Sequence, residues 1–305
     1  MPGGYSNREN DYHSRGLVLR TIFIFLAAAC LVLGACGDDD NSEGGVEIVA
    51  TTGIAADLAA DLAPGAEVAQ LVPDSASPHD FELSAEDRQT LEEADLVVAI
   101  GAGLESGVPL DDVSAPVWEL TANAGELLPF EEGGADPHVW MDPTRVAAAL
   151  PSLVQALASA EPEDAGAYRR AAREYAAELR RLDRELRRTL SPIAPADREL
   201  VTSHDSLAYF ADRYGFDVVA TAFPASGPEG EASAARLVEL ADAVHEAGVA
   251  AVFAQQEDDP EALRLVAEET GVEIEEDLLI ESPGPAGTYG EMLRRDAELI
   301  AAALG

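Results

Sequence analysis

The chain has 305 residues, with 58 Asp and Glu against 19 basic residues, all arginine, and a formal net charge of −39. That balance excludes a nucleic-acid partner, because the surface repels a phosphate backbone. It suits high ionic strength, where self-repulsion is screened, but a solvated acidic surface alone does not make a cation-binding protein.

The N-terminus reads as a targeting segment. Arg8, Arg15 and Arg20 precede an apolar run from Ile22 to Ala35, too short to span a membrane comfortably. Leu33-Gly34-Ala35-Cys36 resembles a bacterial lipobox, so residues 1–35 are expected to be a lipoprotein signal peptide, with Cys36 lipidated as the first mature residue. Residues 36–45, with the run "GDDDNSEGG", read as a flexible acidic tether. The only other cysteine, Cys30, lies inside the signal. The mature chain then has no free thiol and no disulfide, so its core alone must hold the fold. About 270 residues remain, more than one core usually supports, and two lobes are expected.

From Val46 short β-rich runs alternate with helical patterns. "VEIVATT" reads as a buried strand and "IAADLAADLAPG" as a helix ended by Pro64-Gly65. "AEVAQLV" is a second strand leading into the loop of His79. "SAEDRQTLEEA" is a helix with Ser84 as N-cap, and "DLVVAIG" is a third strand. From Ala167 to Leu190 no Gly or Pro occurs. Tyr168, Ala172, Tyr175, Leu179, Leu182, Leu186 and Leu190 make one apolar stripe at spacings of four and three. This predicts a stiff helix roughly 35 Å long that packs across both lobes. A coiled-coil dimer is the competing reading, but alanine and two tyrosines make a poor zipper, and a monomer is expected. "RELVTSHDSLAYFADRYGFDVVATAF" repeats strand, loop, helix, glycine, strand, and "GVAAVFAQQEDDPEALRLVAEETG" repeats strand, loop, helix. The predicted class is α/β: two similar lobes with mainly parallel sheets, at 46–160 and 191–305, linked by one long rigid helix within 161–190.

Three of the five histidines share a setting. His79 stands in "SPHDFEL", His138 in "DPHVWMDP" and His204 in "TSHDSLAYF". His79 and His204 follow predicted strands, where open α/β sheets place ligands. His138 is bracketed by Pro137 and Pro143, which stiffen the backbone. His13 and His245 carry no assigned role. A first-row metal explains three imidazoles in stiff loops, with Asp80, Asp142 and Asp205 as candidates to orient the second ring nitrogens. The fourth ligand is expected to be a carboxylate, Asp277 in "EIEEDLLIE" being the first choice. Ligand spacings of about 60 to 70 residues point to a site assembled between lobes rather than a compact zinc module. On spacing alone, three histidines that separately cap helices or line a core remain the alternative.

From Val46 to Leu304 the chain resembles the solute-receptor lipoproteins of zinc and manganese ABC importers. The resemblance is carried by "VPDSASPHDFELSAEDRQTLEEADLVVAIGAGLE", "HVWMDPTR", "TSHDSLAYFADRYG", "AVFAQQEDDPEALRLVAEETG" and "TYGEMLRRDAELIAAAL". It implies that His79, His138 and His204 fall on the family's histidine ligands and Asp277 on its carboxylate, with a long rigid helix between lobes. It also implies an ABC permease and its ATPase as partners, and a place outside the cytoplasm, anchored to the membrane through the lipid on Cys36. Some members carry a long histidine-rich loop where this chain has the short acidic "LLPFEEGGADPH". Gln255 stands where an acidic residue is common, and Ile100 where asparagine is frequent.

The expected function is therefore capture of a divalent metal, zinc first and manganese next, for delivery to the permease, with no enzymatic activity. A secreted zinc hydrolase is the alternative from another class. It needs an open coordination position and a base, for which only Glu82 offers itself, without an H-E-x-x-H helix or a G-x-S-x-G elbow. An adhesin lipoprotein with a merely structural metal is the third reading.

Overall fold

The computed structural model describes residues 45–130, 134–223, 233–256 and 259–305. The signal segment, Cys36 and residues 36–44 of the tether lie outside them. Gly45 to Gly305 forms one compact unit.

The first lobe opens with β1 (Glu47–Ala50), α1 (Gly53–Leu62), β2 (Glu67–Gln70), α2 (Ala85–Glu93), β3 (Leu96–Ala99) and β4 (Val117–Glu119). Every pairing in its sheet is parallel, in the order β2-β1-β3-β4. Leu96, Val97, Val98 and Ala99 of β3 are all buried, as a strand covered on both faces requires. The helix starts follow from side-chain chemistry. Thr52 caps α1 by accepting from the Ala55 amide, and Ser84 and Asp87 close a reciprocal capping box on α2, as the sequence predicts for Ser84.

Two helices then connect the lobes. In α3 (Pro143–Ala160), Asp142 caps the first turn and Pro143 occupies the first helical position, where its missing N–H costs nothing. A 3₁₀ turn at Pro162–Asp164 leads into α4 (Ala165–Leu190). At 26 residues α4 is about 39 Å long. Its stripe is spent inside the chain: Tyr168, Tyr175, Leu179, Leu182, Leu186 and Leu190 are buried, and Ala172 packs against the same core. The helix lies against α1 and α3.

The second lobe holds β5 (Glu199–Thr202), α5 (Ala208–Tyr214), β6 (Asp217–Thr221), α6 (Ala234–Ala247), β7 (Ala251–Gln255), α7 (Glu261–Thr270) and β8 (Glu273–Leu278). Its sheet repeats the pattern of the first, all parallel in the order β6-β5-β7-β8. Gly215 ends α5 with φ of 75°, a left-handed turn that a side chain disfavours, and this returns the chain directly into β6. The last helix, α8 (Tyr289–Leu304), packs on α4 from the side of the second lobe, so the long helix touches both lobes.

One core cluster runs from Ile48 and Trp118 through Trp140, Leu179 and Leu186 to Phe253 and Ile300. The lobes thus share apolar packing along α4, with smaller clusters on the outer faces of the two sheets. Among the described residues no helix is long and apolar enough to cross a membrane.

Candidate metal centre

His79, His138 and His204 converge. Their ring centroids lie 5.6 Å (His79–His138), 5.0 Å (His79–His204) and 5.3 Å (His138–His204) apart. The carboxylate that joins them is Glu281, whose Oε1 is 3.2 Å from His79 Nε2. One donor atom from each of the four residues lies within 4.8 Å of the other three. Tetrahedral zinc with bonds of about 2.1 Å sets ligands about 3.4 Å apart. A shift of under about 1 Å per ligand closes the cluster on such an ion.

Each of the four side chains arrives by a different local route. His79 follows Pro78 in the loop after β2, and this loop is packed against the segment after β3. The Ser106 hydroxyl donates to the His79 carbonyl, and Gly107 approaches so closely that an added Cβ would sit 1.9 Å from the Phe81 carbonyl oxygen. His138 precedes a 3₁₀ turn at Val139–Met141 that leads into α3. His204 stands in the loop leaving β5, and Glu281 in the loop leaving β8. His138, His204 and Glu281 are buried, whereas the His79 side chain keeps 18 % of its surface exposed.

Burial dictates the protonation states. It pushes His138 down to about 3, and the neighbouring His79 adds to the shift. Burial does the same to His204, again to about 3, with His138 and His79 contributing. Both rings are therefore neutral near pH 7 and offer lone pairs. Burial works to raise Glu281, but its bond to His79 and the facing imidazoles outweigh that and hold it below the usual range as a carboxylate. His138 Nε2 and both His204 ring nitrogens are buried without a hydrogen-bond partner among the described residues, as is Glu281 Oε2. Buried polar atoms without a partner are costly. A divalent cation at the centre takes one nitrogen from each ring together with the carboxylate, and the donor set of imidazole nitrogens with one carboxylate suits a first-row metal.

The orienting carboxylate of His138 is Asp136. Its Oδ1 lies 2.7 Å from His138 Nδ1 and also accepts the His138 backbone N–H at 2.8 Å. This contact is a hydrogen bond to a neutral ring, and it directs Nε2 toward the other ligands when Nδ1 carries the proton. Burial lifts Asp136 to about 7 against the pull of that backbone bond. A cation on His138 favours its carboxylate form.

The structure corrects four expectations. Asp277 lies within β8 with its side chain 70 % exposed, 3.8 Å from Arg295 and away from the histidines. The strand runs on to Leu278, so the loop at its carboxyl end first supplies an acid at Glu281. The signal was present in "LLIESPG", where Glu281 follows an apolar strand end. Asp80 is exposed and takes no part. Asp142 caps α3 through the Thr144 amide and faces Arg213 at 3.6 Å. Asp205 lines a separate crevice with Asp212 and Asp217. The orienting group came instead from two positions before His138, in "ADPH". Glu82 is exposed, and Gln255 is buried, where it accepts a hydrogen bond from the Ser206 hydroxyl.

Two parallel-sheet lobes on one long helix, with buried imidazoles and a carboxylate gathered from both, define a metal-binding solute receptor. The sequence model of the family described as ZnuA, zinc-uptake complex component A periplasmic, matches residues 48–303, and the chain belongs to that family. It is 28% identical over 312 residues to the manganese-binding lipoprotein MntA of Bacillus subtilis, covering 95% of this chain and 99% of the relative. It is 28% identical over 303 residues to the zinc-binding protein TroA of Treponema pallidum, covering 92% and 98%. The solved TroA structure matches with a TM-score of 0.79 over 86% of this chain and all of that one. The protein is a solute-binding component of a metal ABC transporter and not an enzyme.

Proposed function

We propose that this chain is a lipid-anchored extracytoplasmic receptor that captures a divalent metal at His79, His138, His204 and Glu281 and delivers it to an ABC permease driven by its ATPase. The observation that carries this reading is the buried cluster itself, with neutral imidazole nitrogens that have no partner among the described residues facing a carboxylate within 4.8 Å. Four protein ligands fill a tetrahedral shell and leave no open position for a substrate water, which suits a carrier rather than a hydrolase. Three imidazoles favour zinc. Manganese is the second choice, because a bidentate Glu281 adds an oxygen donor and raises the coordination number, and because relatives include manganese-binding lipoproteins. Anchoring through Cys36 and a monomeric state belong to the same reading.

Chelator-competition titration of the full-length protein with zinc and with manganese tests it. One equivalent of zinc is expected to bind, with affinity falling at least about 100-fold in Glu281→Ala and unchanged in Asp277→Ala. Comparable or tighter manganese binding keeps the transport role and changes the metal, whereas no stoichiometric binding of either metal overturns the reading. For the anchor, Cys36→Ala is expected to shift the protein from the membrane fraction to the soluble fraction.

A further inference from the structure

The geometry points to Trp140 as a positioning residue that splints His138 to Glu281 across the two lobes, holding half of the coordination set at a fixed separation. The inference rests on the four-ligand reading above.

Trp140 is fully buried, two residues after His138, and its ring lies 5.1 Å from the His138 ring at 57°. Its Nε1–H donates to the Ile280 carbonyl at 2.8 Å, a bond spanning 140 positions of sequence. That carbonyl belongs to the same rigid peptide plane as the Glu281 amide. Pinning it fixes the base from which the Glu281 side chain projects. A second bond runs the other way: the Tyr289 hydroxyl, at the start of α8, donates to the Trp140 carbonyl. Tyr289 is itself buried, and its amide donates to Asp57 on α1. Trp140 is thus tied to the second lobe by two bonds, its side chain to the peptide plane before Glu281 and its own carbonyl to the Tyr289 hydroxyl.

Any buried tryptophan wants a partner for its N–H, so the existence of the bond does not distinguish a splint from core filling. Its landing point does. The acceptor adjoins one proposed ligand while the ring packs on another, and those ligands come from different lobes. A side chain serving packing alone has no such relation to the cluster.

The test compares wild type, Trp140→Phe and Tyr289→Phe as full-length proteins. Zinc release to excess chelator is timed, and cobalt(II) substitution gives the visible absorption of the metal site. Trp140→Phe keeps an aromatic ring and removes the donor. It is expected to bind one equivalent but to release zinc about 10–100-fold faster, as changes to groups supporting ligands do. Its cobalt bands should shift or weaken as the geometry relaxes. Tyr289→Phe should move both readouts the same way by a smaller factor. Lower thermal stability with unchanged release and an unchanged cobalt spectrum overturns the splint and leaves Trp140 as core. If Trp140→Phe fails to fold, Tyr289→Phe decides alone by the same two readouts. Failure of wild type to bind zinc or cobalt one-to-one overturns the four-ligand reading instead, and the inference falls with it.

Discussion

The segments carrying His79 and His138 offer the same side chain to the same centre in opposite ways. Around His138 the chain is fastened from every side. Asp136 lies 2.7 Å from the ring Nδ1, the Tyr209 hydroxyl donates to the Asp136 carbonyl at 2.9 Å, and Trp140 and Tyr289 tie the following residues to the second lobe. Arg145 lies over the Tyr209 ring, 4.7 Å from its centroid, and closes the outer side. His79 sits in a loop without regular secondary structure, fastened mainly to its own lobe, and keeps part of its surface in solvent. The contrast separates a preorganised part of the site from an adaptable one. Ligands held rigidly lose little freedom when metal arrives, whereas an exposed ligand pays ordering entropy on binding.

The largest test of that contrast is truncation of each ligand. His138→Ala should weaken zinc binding by about 1,000-fold or more, because it also leaves the buried Asp136 without its ring partner. His79→Ala should cost a smaller factor and leave the melting temperature of the metal-free protein nearly unchanged. Chelator competition and thermal unfolding on both variants check this, and equal losses would erase the distinction. Next in size is Asp136→Asn, expected to lower zinc affinity about 10–100-fold in the same titration while one equivalent still binds, since only the orientation of His138 is disturbed.

Tyr209→Phe probes the rigid side without touching a ligand. It strands the buried Asp136 carbonyl and the Leu128 amide, which donates to the Tyr209 oxygen at 2.9 Å. A loss of about 1–3 kcal/mol in urea unfolding is expected. The remaining test is a pH slope. His138 and His204 titrate near 3 in the folded chain against about 6.5 when unfolded. For these two groups the unfolded state binds more protons between those values, so their contribution to the stability of the metal-free protein falls as pH drops from about 6.5 toward 3, while Asp136, lifted to about 7, contributes with the opposite sign. His204→Gln should make this decline shallower, measured as the urea midpoint at pH 7 and pH 5. An unchanged slope would place the histidines outside the linkage.

Much of the architecture was legible because local rules decide it. Alternating strand and helix patterns demanded parallel sheets, Ser84 announced its own cap, and a stripe of period 3.6 announced α4. The three histidines were legible through their place after strands or between prolines. The fourth position was misread because the end of a strand is poorly defined by sequence. Ending β8 two residues early, at Glu276, makes Asp277 the first acid of the loop, and its end at Leu278 makes that acid Glu281. The acids beside the histidines in sequence were misassigned for a related reason. Adjacent side chains in an extended loop point in different directions, so Asp80 reaches solvent while Asp136, two positions before its histidine, turns back onto the ring.

By itself, then, the sequence determined the class of fold, the rigid helix and three imidazoles in stiff loops, because periodicity, capping and proline act over a few residues. Only the tertiary structure decided that Glu281 meets those imidazoles, that Asp136 orients His138, and that Trp140 bridges to Ile280. Those choices depend on where strands end and which buried donors find acceptors 140 positions away. That pairing is set by packing two lobes around one core, and no local pattern encodes it.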